Sequence, residues 1–210
     1  MNDYFIYFIG LIAQLLFSLR LLIQWVFSEK ENKVVTPTFF WIVSLIASFL
    51  FFIYGYLRND FAIMLGQFIT YYIYIRNLQL QNQWNILQKG IQVVFIYFPL
   101  IVLSIKLLRG EFDFSQLFNQ DFIPIWLLSL GIISQLIFTL RFIFQWIISE
   151  KNKFSQLPET FWVLSIVGSI LILVYSIFRK DPILFIGHTF GIIIYIRNLM
   201  ILKKYNHFFF

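Results

Sequence analysis

The sequence predicts an all-α membrane protein: seven transmembrane helices arranged as two parallel three-helix bundles joined by a linker helix, a 3+1+3 plan. Three observations lead there. The 210 residues are 60% hydrophobic and 12% charged, with a mean hydropathy of +0.80, whereas globular chains run roughly 45–50% apolar and about 25% charged. Seven stretches are apolar over the roughly 20 residues a helix needs to cross about 30 Å of hydrocarbon. The chain also repeats itself without a gap at an offset of 121, residues 10–78 returning as 131–199 with about 28 identities in 69 positions. That level of agreement marks a duplication and not shared composition.

The expected spans are Tyr4–Phe27, Thr38–Leu57, Phe61–Gln79, Ile91–Leu108, Phe122–Ile148, Thr160–Phe178 and Pro182–Leu202. The start Met1-Asn2-Asp3 is acidic where a signal peptide is basic, so the first stretch is expected to remain as a span. In the second span Pro37, Trp41, Ser44, Ser48 and Gly55 fall on one stripe, matched in the sixth by Pro158, Trp162, Ser165, Ser169 and Ser176. Small residues at that spacing let helices approach closely. The turns Arg58-Asn59-Asp60 and Arg179-Lys180-Asp181 place an acid where it caps the next helix. The fourth span, with Pro99 at its middle, has no counterpart. Three helices are an odd number, so a helix between the copies is what lets both share one orientation. The domains are therefore expected at 4–79, 80–121 and 122–204.

Eleven of the sixteen Lys and Arg lie on the side of the Ser-Glu-Lys loops and the C-terminus. The positive-inside bias then puts the C-terminus in the cytoplasm and the N-terminus outside. Cysteine is absent, which excludes disulfides and thiolate chemistry. All ten carboxylates fall in loops or at helix ends, which argues against acid/base hydrolysis and against proton relay through an intramembrane acid. No metal site or cofactor is expected, since the two His are far apart and no Gly-rich phosphate loop is present. The +6 charge points to topology and anionic headgroups, not to nucleic acid.

Basic and amide side chains do enter the spans. Arg20 and Gln24, and again Arg141 and Gln145, stand four apart on one helix face. Such an arginine either snorkels to the interface or offers its planar fork to a phosphate. The third helix of each copy ends in Tyr74, Arg76 and Asn77, or Tyr195, Arg197 and Asn198, which reads as a membrane-border anchor or as the completion of an anion pocket beside Arg20. Trp41 and Trp162 either line a cavity or belong to an aromatic belt. Gln67 stands where the other copy has His188. A lone polar residue there makes an interhelical hydrogen bond, or, if it lines a pathway, supplies a group titrating near neutral pH.

The succession QLLFSLRLLIQW at 14–25, Ser-Glu-Lys, Pro with Phe-Trp, Arg-Asn-Asp and YIRNL at 74–78 resembles the membrane domain at the N-terminus of some lipid-A-disaccharide synthases, and resembles it twice. In plan it is more distantly similar to the PQ-loop and SWEET-type transporters. The resemblance implies a role in lipid A or lipid-linked sugar metabolism. It implies no glycosyl transfer by these residues, since the transferase of such synthases is a separate soluble domain. The expected partner is an anionic lipid or polyprenyl-phosphate-linked sugar, together with membrane lipids, carried or presented by the chain. Arg20 and Arg141 would meet the phosphate and Gln24 and Gln145 the hydroxyls. Two rival readings are a scaffold docking a glycosyltransferase and a small-sugar facilitator.

Overall fold

The computed structural model describes residues 3–58, 61–110, 124–180 and 182–207, and the regular structure among them is entirely helical. The α-helices are α1 (Asp3–Glu31), α2 (Thr38–Leu57), α3 (Phe61–Leu80), α4 (Lys89–Leu108), α5 (Ile125–Asn152), α6 (Glu159–Arg179) and α7 (Pro182–His207), with a 3-10 turn at Trp84–Ile86. Six of them, all but α3, are long and apolar enough to cross a membrane. α3 carries Gln67, Thr70, three tyrosines, Arg76 and Asn77 within 20 residues, and these dilute its apolar character. Phe122, Asn59, Asp60 and Asp181 lie outside the described residues, and with them the expected acid caps.

The helix ends follow from local chemistry. Pro37 and Pro158 stand just before α2 and α6, and their carbonyls accept from Phe40 N at 2.9 Å and Phe161 N at 3.0 Å. Proline costs nothing there, because the first N–H groups of a helix lack intrahelical acceptors in any case. α4 stops at Gly110, φ +65°, a left-handed residue that glycine adopts without strain.

The chain divides into two compact units that cut across the repeats. One comprises residues 1–20 and 41–120, the other 21–40 and 121–210. In the first unit α1 packs on α2 where Gly10 leaves room for the Tyr54 ring, since a Cβ at Gly10 would lie 2.8 Å from it. The same pair recurs in the second unit, where a Cβ at Gly131 would lie 2.8 Å from Tyr175. Both glycines and both tyrosines are identical between copies for that steric reason. Further along α6, Gly168 brings the backbone of Phe138 close enough that a Cβ would meet its Cα at 3.2 Å.

α4 belongs to the first unit. Its Phe95 and Phe98 rings lie 5.3 and 5.1 Å from Phe49, and Phe95 is parallel to Tyr71 at 6.3 Å. The Tyr72 hydroxyl donates to the Ile96 carbonyl at 2.7 Å, one turn from Pro99, where α4 has no N–H to offer its own ladder. The second copy has Ile192 and Ile193 in place of Tyr71 and Tyr72. These two tyrosines are thus specific to the copy that holds the linker helix.

In the second unit the residues taken from the first repeat are joined to α7 and to the α5–α6 loop. Gln24 Nε2 donates to Asn198 Oδ1 at 2.8 Å, and Thr36 Oγ1 to the Ser155 carbonyl at 3.1 Å. The Arg197 guanidinium pairs with Glu29 through Nε, and through Nη2 at 2.9 Å. The copies are therefore repeats of sequence but not separable bodies.

Candidate functional site

Each unit holds one buried arginine on a matched set of hydroxyls and rings. In the first, Arg20 Nη1 donates to Ser44 Oγ at 2.9 Å and to the Tyr74 hydroxyl at 2.9 Å. In the second, Arg141 Nη1 donates to Ser165 Oγ at 3.1 Å and the Tyr195 hydroxyl at 3.2 Å. Only 4% of Arg20 and 3% of Arg141 is exposed, so neither snorkels along a lipid-facing surface. Aromatic faces surround both cations: Arg20 lies 4.7 Å from the Phe17 ring centre and 5.3 Å from Tyr74, and Arg141 lies 3.5 Å from Phe138. A desolvated cation over a ring gains about 2 kcal/mol from the ring quadrupole. The hydroxyls orient the guanidinium and bring no charge of their own.

Trp41 and Trp162 complete these clusters, fully buried, with their rings 6.0 and 6.1 Å from Tyr74 and Tyr195. They are core residues of their units and not members of an interfacial belt. Tyr74 and Arg76 are two apart on one helix and so point away from each other. It is Tyr74 that meets Arg20, while Arg76 donates to Gln79 Oε1 at 3.0 Å. Arg197 likewise lies at an exposed edge on Glu29. Asn77 and Asn198 are fully buried, each donating to the carbonyl four residues back at 2.8 and 3.0 Å.

Gln24 and Gln145 have a local task in common. Gln24 Nε2 donates to Ser28 Oγ at 2.8 Å and the Val35 carbonyl at 3.3 Å, and Ser28 accepts the Val35 N–H at 3.1 Å. Gln145 repeats this with Ser149 at 2.9 Å and the Gln156 carbonyl at 2.9 Å. The serine of each Ser-Glu-Lys segment therefore folds the following loop back on its helix. Sequence reasoning missed that role, although the spacing of four between Gln and Ser in both copies was the available signal. The serine stripe is also more than a packing surface. Ser48 donates to Gln67 Oε1 at 3.0 Å, and Ser169 Oγ lies 3.1 Å from His188 Nδ1. Gln67 and His188 thus make the interhelical hydrogen bond in their respective units.

Among the described residues, the Trp162 indole N–H and Gln24 Oε1 are buried without a hydrogen-bond partner. Trp162 adjoins Tyr195, and Gln24 is bonded to Asn198. Those two α7 residues stand three apart on one face. No group of three or more His, Cys, Asp or Glu placed to hold a metal occurs among the described residues.

Residues 9–79 and 130–200 each match the family described as Lipid A Biosynthesis N-terminal domain. The chain belongs to that family. The duplication read from the sequence is thus two copies of one known domain, and the arginine, serine and tyrosine of each cluster lie within the matched residues. The chain is also 29% identical over 210 residues to the lipid-A-disaccharide synthase of Chlamydia felis, 95% of this chain and 33% of that protein. It is 29% identical to the synthase of Chlamydia pneumoniae, covering 96% of this chain and 34% of that one. For Chlamydia caviae the identity is 28%, over 95% and 33%. The chain spans about a third of the length of these curated relatives. No solved structure matches it.

Proposed function

We propose that this chain moves or presents an anionic lipid-linked saccharide, a lipid A precursor or a polyprenyl-phosphate glycan, at a bacterial inner membrane. The observation that carries the reading is the duplicated arginine cluster, Arg20 with Ser44 and Tyr74, and Arg141 with Ser165 and Tyr195. A guanidinium held by neutral hydroxyls inside a membrane bundle matches a phosphate in charge and in fork geometry. Trp162 Nε1 and Gln24 Oε1 supply a donor and an acceptor, the complement of a sugar hydroxyl, which donates and accepts at once. Asn77 and Asn198 line the same helices, with Arg76 and Arg197 at their ends. The Lipid A Biosynthesis family and the synthase names of the relatives support a place in that pathway.

The experiment is transbilayer movement of a fluorescent short-chain polyprenyl-phosphate sugar in proteoliposomes. Wild-type protein moves the probe or, if it only presents it, binds it without movement. Binding and movement that both survive Arg20→Ala with Arg141→Ala overturn the phosphate role. A second reading, a scaffold that docks a glycosyltransferase, draws on the synthase relatives being about three times the length of this chain. A stable complex with a transferase, and no binding of the glycolipid probe, would favour it.

A further inference from the structure

On the second unit a groove of about 370 Å³ runs between α5 and α6, lined by Phe144, Val163 and Leu164, with Glu159 and Thr160 at the end where α6 begins. That volume falls in the range of roughly 300–1,000 Å³ typical of small-ligand sites. The groove lies on the outer face of the spans, Phe144 and Val163 being 44% and 41% exposed. It starts at the first residue of α6 and extends five residues along it, about 7.5 Å at the helical rise. A lipid chain entering from the polar end would lie along it.

The duplication shows that the residues at the α6 end of this groove differ between the copies. At an offset of 121, Thr160 matches Phe39 and Glu159 matches Thr38. The second copy therefore has a short side chain where the first has a phenyl ring, and an acid where the first has a neutral hydroxyl. Lys203 also lies past the duplicated segment, and its Nζ stands 3.7 Å from Glu159 Oε1. That separation is long for an ion pair, and the side chains are 61% and 51% exposed. Such a contact contributes little, on the order of 1 kcal/mol or less, and yields readily to a better partner.

A carboxylate beside an ammonium, at the end of an apolar groove on a membrane helix, is the charge complement of a zwitterionic headgroup. We propose that this groove binds an aminophospholipid, phosphatidylethanolamine in chemistry. Its ammonium rests on Glu159, its phosphate on Lys203 and the Thr160 hydroxyl, and one acyl chain lies against Phe144, Val163 and Leu164. The primary ammonium matters, because it can donate hydrogen bonds to the carboxylate where a quaternary one cannot. This site is separate from the arginine clusters, and its failure leaves the reading of those clusters untouched.

The absence of cysteine makes a single fluorescent label straightforward. Val167→Cys, one turn along α6 and not part of the lining, carries a bimane in the full chain, reconstituted in phosphatidylcholine vesicles. Brominated-tail phosphatidylethanolamine, phosphatidylcholine and phosphatidylglycerol are titrated as quenchers. The expected result is half-quenching by the ethanolamine lipid at about one third of the mole fraction of the choline lipid, the scale of one exposed ion pair. Glu159→Gln should bring the two lipids level. Thr160→Phe, a residue the first copy already carries at the matching position, should remove the preference by filling the groove. Equal quenching by all three lipids on the unmodified groove would overturn the proposal. So would strongest quenching by the glycerol lipid, which would make this an anionic-lipid site, or an ethanolamine preference that persists in Thr160→Phe.

Discussion

Removing the hydroxyls that hold Arg141 tests whether the cluster is a coupled unit. Tyr195→Phe deletes the acceptor at 3.2 Å and Ser165→Ala the one at 3.1 Å, with almost no change in volume. Hydrogen bonds between membrane helices contribute about 0.6 kcal/mol on average and roughly 1.7 at most. A charged donor belongs toward the upper end of that range, so each single variant should lose about 1 kcal/mol. The other hydroxyl still serves Nη1 in either one. In the double variant Nη1 loses both hydroxyl acceptors in a site that is 3% exposed, and a buried charged donor left unsatisfied costs more than the roughly 1–3 kcal/mol of a neutral one. The double loss should therefore exceed the sum of the singles by about 1 kcal/mol or more. The measurement is equilibrium unfolding in mixed detergent micelles, as a double-mutant cycle. Additive losses within about 0.3–0.5 kcal/mol, the range for independent sites, would show that the hydroxyls do not act on one guanidinium and would refute the cluster.

Gly131→Val should destabilise by about 1–3 kcal/mol through the clash with Tyr175. Gly187→Ala, which meets nothing within 4 Å, should instead gain up to about 1 kcal/mol of helix propensity, and thermal unfolding of the two variants reads the opposite signs. Tyr72→Phe removes the bond to the Ile96 carbonyl and should speed hydrogen exchange in α4 more than in α5–α7.

The helices and the duplication were legible in the sequence because both rest on patterns that need no tertiary contact: apolar length for a span, and identity at a fixed offset for a repeat. The arginines stood out because a cation in an apolar span has to be explained. Their real partners did not stand out. Ser44 looked like a small residue for packing, and only its distance from Arg20 shows it as an acceptor. Arg76 shared a motif with Tyr74, yet two residues on a helix point to opposite sides, so membership of a motif misled where register would have decided. The joining of Gln24 and Glu29 to α7 lay beyond reach, because an internal repeat shows which residues are equivalent and not which copy each one packs against.

The binding affinity of the fluorescent polyprenyl-phosphate sugar for detergent-solubilised protein tests the central claim most directly. Charge-assisted hydrogen bonds are worth about 1.5–3 kcal/mol, so combining Arg20→Ala with Arg141→Ala should weaken Kd by roughly 10-fold to 150-fold. Arg20→Lys with Arg141→Lys, which keeps both charges for folding, should still lose about 10-fold for want of the planar fork. Unchanged affinity in either folded double variant would contradict the account.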